Sequence, residues 1–184
     1  MSEIDVLTAS RLPPLFLTPL QAAYRVHERL HETDAAAFAA VAPRIRGIAA
    51  SGESKVSAQL IAQLPRLEII SVMGVGYDGI DVAAAKARSV QVTHTPNVLN
   101  DDVADLAIGL MLCAARQLPA ADRYVRAGQW AAAGPMPLAR KMSGARLGLV
   151  GMGRIAKAIA HRAQAFGMSI AYTCLLYTSD AADE

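Results

Sequence analysis

The sequence predicts an α/β fold in which helices cover a mostly parallel sheet. Short apolar runs recur along the first half of the chain, and helix-like segments separate them. The apolar runs lie at residues 4–7, 45–50, 67–72 and 90–93, each bounded by polar or turn residues. Runs of this length that alternate with helical segments are typical of βα units, which pack as a parallel sheet.

Helix-start signals precede several of the intervening segments. Thr18-Pro19 is typical of an N-cap followed by proline at the first helical position. Thr33 or Asp34 can cap the alanine-rich stretch that follows, and Asp81 begins a short helix. These signals predict helices between the strand-like runs.

The pattern changes after residue 96. Asn100-Asp101-Asp102 is typical of a capped helix start, and apolar residues then repeat at helical spacing through Ala114. A second helix is predicted at about residues 119–127, followed by a loop rich in glycine and proline. A loop of this composition favours two domains over one.

Composition excludes several classes of protein. The chain has 184 residues, of which 53% are hydrophobic, and its formal net charge is +2 with basic and acidic residues interspersed. No basic block indicates a nucleic-acid or membrane partner, and no apolar run reaches about 18 residues. The N-terminus lacks the pattern of a signal peptide. We therefore expect a cytoplasmic protein with no nucleic-acid or membrane partner, and the two cysteines lack metal-site spacing.

A glycine turn in the second half indicates a dinucleotide site. Strand-like residues 146–150 run directly into the glycine turn, and helix-like residues 157–166 follow it. Gly151 permits a tight turn, Gly153 allows the backbone to approach a pyrophosphate, and the small Ala156 lets the helix pack closely on the strand. The phosphates would bind backbone N–H groups at the positive end of the helix, and Arg154 could add a charged contact.

The choice between NAD and NADP is left open by the residues. An acidic residue about 20 positions after the turn would bind the ribose of NAD, and basic residues there would favour NADP. The strand predicted at residues 168–173 ends without either, and Asp180 comes too late.

A second glycine-rich turn follows the strand at residues 67–72. Gly74 and Gly76 carry no side chains, so the Val75 and Gly76 amides could point at a carboxylate. The same residues also fit a plain strand-to-helix turn capped by Asp78 or Asp81. From the residues alone the two interpretations stand equal.

The motifs in order resemble the D-isomer-specific 2-hydroxyacid dehydrogenases. The resemblance rests on LEIISVMGVGYDGID at 67–81, VTHTP at 92–96, DVADL at 102–106 and the glycine turn at 151–156. It extends over about residues 1–173 and is closest to the glyoxylate and hydroxypyruvate reductase branch, including DRYVRAGQW at 122–130.

This resemblance implies an architecture and a set of site residues. Residues 1–98 would be the N-terminal part of a flavodoxin-like substrate domain, and residues 99–173 the start of an inserted Rossmann domain. It implies that the Val75 and Gly76 N–H groups hold the substrate carboxylate and that the Ser51-Gly52 loop lines the same pocket. For the NAD or NADP phosphates it implies contacts from Asn100, often threonine in the family, Gly151, Met152, Gly153, Arg154 and Ile155. The implied substrate is a small 2-oxo or 2-hydroxy acid, and the implied assembly is a homodimer with the helix from Asn100 in its interface.

No catalytic residue is assigned within this chain. The family's arginine, glutamate and histidine come after the second half of the Rossmann sheet, and none of the four histidines here occupies that position. His94 stands where the family often has asparagine, near the cleft, and Asp105 is expected to make a structural hydrogen bond. We therefore expect this stretch to be inactive and poorly soluble.

For residues 174–184 we expect an origin outside the native sequence. Residues 174–184 can be reverse-translated into a transposase adapter used for sequencing libraries, so we expect the native sequence to end near Thr173.

A different class of function remains open on the same fold. An NAD(H)-sensing corepressor or another binding protein would share the cofactor turn without catalysing a reaction. The presence or absence of the arginine, glutamate and histidine would separate the two classes.

Overall fold

The computed structural model describes residues 4–174. The strands are β1 (Asp5–Thr8), β2 (Arg25–Glu28), β3 (Ile45–Ser51), β4 (Ile69–Met73), β5 (Gln91–Thr93), β6 (Arg146–Val150) and β7 (Ser169–Thr173). The helices are α1 (Pro14–Ala23), α2 (Leu30–Thr33), α3 (Ala35–Val41), α4 (Ala58–Ala62), α5 (Val82–Ala87), α6 (Asn100–Arg116), α7 (Leu118–Arg126), α8 (Gln129–Ala133) and α9 (Arg154–Gln164). The chain divides into two compact units between Val98 and Leu99.

The first unit is built on one parallel sheet. Its strands lie in the order β2-β1-β3-β4-β5, and every neighbouring pair is parallel. This is the order of flavodoxin-like folds, in which ligands bind beyond the carboxyl ends of the strands. The predicted α/β class with a parallel sheet is confirmed.

The core of this unit lies between the sheet and the helices α3, α4 and α5. All four residues of β1 are buried. The buried side chains that form this core include Leu7, Phe38, Ile45, Ile48, Leu60, Ile61, Leu64, Ile70, Val72 and Ala85. Such packing fixes the carboxyl ends of β1, β3 and β4, from which the loops of the site emerge.

Two of the predicted helix caps are correct. The Asp34 carboxylate accepts a hydrogen bond from the Ala37 N–H at 2.9 Å and caps α3. The Asp81 carboxylate does the same for α5, accepting from the Ala84 N–H at 2.8 Å. Each cap satisfies an N–H group that would otherwise lack an intrahelical partner.

The predicted start of the first helix at Thr18-Pro19 is wrong. The helix begins at Pro14, and Pro19 lies inside it. Pro14 at the first helical position supplies a backbone angle that is already helical, so the helix begins a turn earlier. Pro19 lacks the N–H that would bond the carbonyl four residues earlier, and its ring crowds that carbonyl.

The strand β2 was not predicted from the sequence. Its residues, Arg25-Val-His-Glu28, include one aliphatic side chain, and the strand pairs on one side only, with β1. None of its residues is fully buried, so the strand needs no continuous apolar run. The sequence therefore carries little signal for it.

The second unit contains a smaller sheet of two parallel strands, β6 and β7. Its buried residues Ile108, Met142 and Ala163 form a cluster contributed by α6, the segment before β6 and α9. The start of α6 is correctly predicted, but the cap is not. Leu99 is the N-cap residue and makes no side-chain cap hydrogen bond, so Asn100 is the first helical residue.

The helices of residues 4–174 differ from membrane-spanning helices in length or apolarity. No single helix there combines the length and apolarity needed to cross a bilayer. Helices α6 and α7 reach that length and apolarity only as a pair, and the pair is bent by 58°.

Candidate functional site

The first glycine turn leaves the carboxyl end of β4. Ser51 and Met73 are register partners, so β3 and β4 end at the same level and their following loops lie side by side. Gly74 has a φ of +142°, a conformation that residues with a side chain rarely adopt. The turn thus requires glycine at this position for its backbone geometry.

Two residues after β5 fix the orientation of this turn. The Thr95 N–H donates to the Gly74 carbonyl at 2.9 Å, and the Thr95 hydroxyl accepts from the Gly74 N–H at 3.2 Å. His94 Nδ1 lies 2.9 Å from the Val75 carbonyl oxygen, and it must be the donor because a carbonyl only accepts. The His94 ring also packs edge-on against Tyr77, with centroids 4.8 Å apart.

These contacts determine where the next N–H groups point. A trans peptide holds its C=O and N–H on opposite sides. Because the Gly74 and Val75 carbonyls face Thr95 and His94, the Val75 and Gly76 N–H groups face away from them. Within residues 4–174, neither N–H has a hydrogen-bond acceptor. The two adjacent donors form a concavity that suits an anion.

Gly76, unlike Gly74, is not required by its backbone conformation. Its φ is not in the left-handed region, and a Cβ built on it would contact nothing within 4 Å in the described part of the chain. Neither backbone strain nor packing within residues 4–174 therefore demands glycine there. A group that approaches the Gly76 backbone from outside would supply the reason.

A backbone clip joins this turn to the loop after β3. The Val56 N–H donates to the Gly79 carbonyl at 2.8 Å, and the Asp81 N–H donates to the Val56 carbonyl at 2.9 Å. A Cβ on Gly79 would lie 2.1 Å from the Ser54 carbonyl oxygen, so only glycine fits. Gly52 also approaches Gly76, since its Cβ would lie 3.5 Å from the Gly76 oxygen. The structure thus brings the predicted residues Ser51, Gly52, Val75 and Gly76 together.

Three serine hydroxyls meet beside this turn, at the ends of β1 and β3. Ser10 Oγ lies 2.9 Å from Ser51 Oγ, and Ser54 Oγ donates to Ser10 Oγ at 2.9 Å. The Ser51 N–H donates to Ser54 Oγ at 2.8 Å. Ser54 is only 2% exposed, so its hydroxyl depends on these partners.

The second glycine turn links β6 to α9. Gly151 has a φ of +94°, and its N–H donates to the Thr173 carbonyl at 2.7 Å. Gly153 is the N-cap residue of α9 and provides no side-chain cap. In the described residues, the N–H groups of Met152, Gly153, Arg154 and Ile155 have no acceptor.

These free donors lie at the N-terminus of a helix of 11 residues. The aligned peptide dipoles make this end partly positive, which favours a phosphate. A Cβ on Gly153 would meet nothing within 4 Å in the described chain, so packing there does not require glycine. The turn therefore has the backbone donors and the open approach that a pyrophosphate needs.

The other predicted positions fall at separate places. Asn100 is partly buried at the first position of α6, and Arg154 is exposed at the first position of α9. Strand β7 carries no acidic side chain along Ser169–Thr173, and Asp180 lies outside the described residues. The structural role expected for Asp105 is confirmed, because its carboxylate accepts from Arg162 Nε.

Arg162 connects α9 to α6 through two carboxylates. Its Nη2 donates to Asp101 at 2.9 Å, and its Nε donates to Asp105. The hydrogen bonds that Arg162 donates to Asp105 and then to Asp101 raise its pKa above the ordinary value. This ion pair fixes the start of α6 against α9 within the second unit.

Sequence reasoning missed the residues that orient the first turn. Nothing in the sequence pattern distinguishes Ser10 or Ser54 from ordinary loop serines. His94 was considered for ligand contact, yet its Nδ1 is used by the Val75 carbonyl. The available signals were the VTHTP motif, which contains His94 and Thr95, and position, because all of these residues follow β1, β3 or β5 at the carboxyl edge of the sheet.

The sequence matches a known family over most of its length. Residues 6–184 match the family described as D-isomer specific 2-hydroxyacid dehydrogenase, catalytic domain. A 2-ketogluconate reductase from Gluconobacter oxydans (strain 621H) is 40% identical over 171 residues, which cover 93% of this chain and 54% of that protein. A glyoxylate/hydroxypyruvate reductase A from Arabidopsis thaliana is 48% identical over 128 residues, covering 70% of this chain and 41% of that protein.

Solved structures also resemble the chain. A 2-hydroxyacid dehydrogenase from Ketogulonicigenium vulgare Y25 has a TM-score of 0.87 and 44% identity, covering 100% of this chain and 58% of that one. An NADPH-dependent glyoxylate/hydroxypyruvate reductase from Sinorhizobium meliloti, solved with NADP and malonate, has a TM-score of 0.81 and 42% identity. That match covers 93% of this chain and 53% of the other. The chain thus spans about half the length of the relatives it matches.

Proposed function

Because the chain belongs to the D-isomer specific 2-hydroxyacid dehydrogenase family, we propose that the whole protein transfers hydride between NAD(P)H and a small 2-oxo acid. In the reductive direction, NAD(P)H supplies the hydride to the carbonyl carbon, and a proton completes the 2-hydroxy acid. The proposed substrates resemble glyoxylate and hydroxypyruvate, after which several relatives are named.

The observation that carries this proposal is the pair of free N–H groups on Val75 and Gly76. Two adjacent donors suit the two oxygens of a carboxylate, and charge-assisted hydrogen bonds of this kind are stronger than neutral ones. Thr95 and His94 hold the donors in place before the ligand arrives, so little ordering entropy is lost on binding. The Ser51-Gly52 loop would form the adjoining wall of the pocket.

The second turn supports a dinucleotide cofactor, either NAD or NADP. Met152, Gly153, Arg154 and Ile155 would donate backbone N–H groups to the pyrophosphate, and Gly151 would shape the turn. The Arg154 guanidinium would add positive charge at the same helix end. Asn100 would lie near the phosphates, as the family resemblance implies.

The reaction also needs an acid/base group and a cation that orients the carbonyl. We propose that the family's arginine, glutamate and histidine supply both functions in the whole protein, outside this chain. The 184-residue stretch would then bind ligands without turnover.

A homodimer is part of the same proposal. Helix α6 exposes Leu106 and Leu110, whose exposures are 61% and 59%. Exposed apolar side chains on one helix are typical of an interface that another subunit covers. Sedimentation of the whole protein should give twice the monomer mass, and Leu106→Asp should shift it toward the monomer.

Isotope transfer tests the proposed reaction directly. The whole protein is incubated with hydroxypyruvate and NADPH or NADH deuterated at the hydride position. We expect glycerate of D configuration with one deuterium at C2, whereas the 184-residue chain alone should give none. Tight binding of the dinucleotide without any deuterated product would favour a cofactor-sensing protein instead. Turnover by the 184-residue chain would contradict the proposed location of the catalytic groups.

A further inference from the structure

The serine cluster, defined as Ser10, Ser51 and Ser54, brings three hydroxyl groups together by hydrogen bonds. Its members come from the end of β1 and from the loop after β3, and they meet within 2.9 Å of each other along the chain Ser54, Ser10, Ser51. Only Ser51 was a candidate for substrate contact. The other two hydroxyls touch Ser51 and thus can control what its own hydroxyl does.

The hydroxyl of Ser54 is fully used within the cluster. It accepts from the Ser51 N–H at 2.8 Å and donates to Ser10 Oγ at 2.9 Å. Ser51 Oγ and Ser54 Oγ are 3.5 Å apart, which is too long for a strong hydroxyl hydrogen bond. The Ser51 hydroxyl therefore has no good acceptor in Ser54.

The hydrogen bond between Ser10 and Ser51 then determines which hydroxyl hydrogen points out of the cluster. Ser10 and Ser51 are 2.9 Å apart, and either hydroxyl can donate to the other. If Ser10 donates, the Ser51 hydroxyl hydrogen is left to point out of the cluster. If Ser51 donates, that hydrogen is consumed, and the Ser10 hydrogen is left over.

An anion beside Val75 and Gly76 would select the first arrangement. A carboxylate accepts hydrogen bonds and cannot donate them, so it stabilises the state in which Ser51 offers its hydrogen. The loop that carries Ser51 borders the turn, because a Cβ on Gly52, the neighbour of Ser51, would lie 3.5 Å from the Gly76 oxygen.

We propose that Ser10 and Ser54 are positioning residues that direct the Ser51 hydroxyl as a third donor to the substrate carboxylate, beside the Val75 and Gly76 N–H groups. The proposal rests on the proposed function, and it adds a determinant of specificity. Ligands that present a carboxylate would be preferred over ligands that present an amide N–H at this place, because an N–H cannot accept the Ser51 hydrogen.

Steady-state kinetics of the whole protein test the proposal, with hydroxypyruvate as the varied substrate and cofactor at saturation. In Ser51→Ala, KM should rise about tenfold with little change in kcat, because a hydrogen bond to a charged group is lost equally from the ground and transition states. In Ser10→Ala, KM should rise about threefold, because the Ser51 oxygen loses the hydrogen bond that Ser10 donates and its hydroxyl is no longer held in one orientation. Ser10→Thr retains the hydroxyl and should restore KM toward the wild-type value.

Ser57→Ala is the matched control. Ser57 caps α4 in the same unit by accepting from the Leu60 N–H at 3.3 Å, and within residues 4–174 its side chain makes no hydrogen bond to the cluster. Its loss should lower the unfolding temperature and leave KM unchanged. A Ser10→Ala variant that also loses stability but keeps the wild-type KM would have a purely structural role, which contradicts the proposal.

The outcomes separate this proposal from the proposed function. Absence of turnover in the folded wild-type protein overturns the proposed function. Normal wild-type turnover together with an unchanged KM in both Ser51→Ala and Ser10→Ala overturns the serine proposal alone. If Ser10→Ala does not fold, Ser10→Cys replaces it. Its weaker donor should give a KM between those of the wild type and Ser51→Ala, and a wild-type KM in Ser10→Cys contradicts the proposal.

Discussion

The two glycine turns share a sequence pattern but differ in how they are held. The turn after β4 is fixed from both sides, by Thr95 and His94 on one and by the Gly79–Val56 clip on the other. Among the described residues, the turn after β6 is held by the backbone hydrogen bond from Gly151 to Thr173 and by the start of α9. Both lie at the carboxyl ends of parallel strands.

This difference matches the two ligands that we propose. Two directed N–H groups in a clamped turn suit a compact carboxylate, whose oxygens require fixed geometry. A helix N-terminus with several free N–H groups suits a larger and more diffuse pyrophosphate. Glycine provides the backbone conformation at Gly74 and Gly151 and space at Gly79. At Gly76 and Gly153 we propose that it allows a ligand to approach the backbone.

The largest expected effect is the loss of stability in Gly79→Ala, where glycine provides space in the first turn. Gly79→Ala would place a Cβ 2.1 Å from the Ser54 carbonyl oxygen. Backbone must shift to relieve this overlap, so we expect a loss of about 2–3 kcal/mol in the free energy of unfolding, measured by denaturant titration.

Gly76→Ala is the matched partner of that variant. Its Cβ has open space in the described chain, so stability should change little. KM for hydroxypyruvate should nevertheless rise about tenfold, equivalent to about 1.4 kcal/mol. If Gly76→Ala unfolds as readily as Gly79→Ala, the distinction between the two glycines is wrong.

Substitutions in the second turn should also separate loss of stability from loss of ligand binding, with a smaller loss of stability than in Gly79→Ala. Gly151→Ala forces a side chain onto a φ of +94° and should cost about 1–2 kcal/mol of stability. Gly153→Ala lacks that strain and should instead weaken NADPH or NADH binding, measured by cofactor fluorescence. Equal cofactor affinity in Gly153→Ala and wild type would argue against pyrophosphate at this turn.

Loss of the clamp on the first turn should affect binding more than stability. His94→Ala removes the donor to the Val75 carbonyl, so the Val75–Gly76 peptide becomes free to rotate. We expect KM for hydroxypyruvate to rise by the equivalent of about 1 kcal/mol, the net value of a typical hydrogen bond. His94→Asn can retain an N–H donor and should give a smaller increase. A larger KM in His94→Asn than in His94→Ala would contradict this role.

The smallest expected effect is a difference in acid sensitivity between the two units. Among the described residues, Asp5 of β1 is a buried carboxylate, with a side chain 3% exposed. Burial alone would raise its pKa, but the hydrogen bond from His27 and the charge of Arg44 outweigh burial and lower the pKa below the ordinary value of 3.8. Ionised Asp5 thus stabilises the first unit above about pH 4, and this contribution is lost as the pH falls through the lowered pKa.

Hydrogen exchange at decreasing pH measures this effect unit by unit. After correction for intrinsic exchange rates, β1 and β2 should lose protection at a higher pH than β6 and β7. In Asp5→Asn, the unfolding free energy of the first unit should depend less on pH in this range. An unchanged pH dependence in Asp5→Asn would show that the Asp5 carboxylate does not contribute.

The sequence revealed what depends on local pattern and missed what depends on neighbours. Apolar runs located β1, β3 and β4, and glycine spacing located both turns. Strand β2 has no such run, because none of its residues is fully buried. The relation between Thr95 and Gly74, or between Ser10 and Ser51, arises only when parallel strands bring distant residues to one edge of the sheet.

The central claim is that the Val75 and Gly76 N–H groups hold the substrate carboxylate. A crystal structure of the whole protein with oxalate, an analogue that cannot be reduced, tests it most directly. The account predicts carboxylate oxygens about 2.9 Å from the nitrogens of Val75 and Gly76. Oxalate bound elsewhere in the protein, with both N–H groups hydrogen-bonded to water, would contradict it.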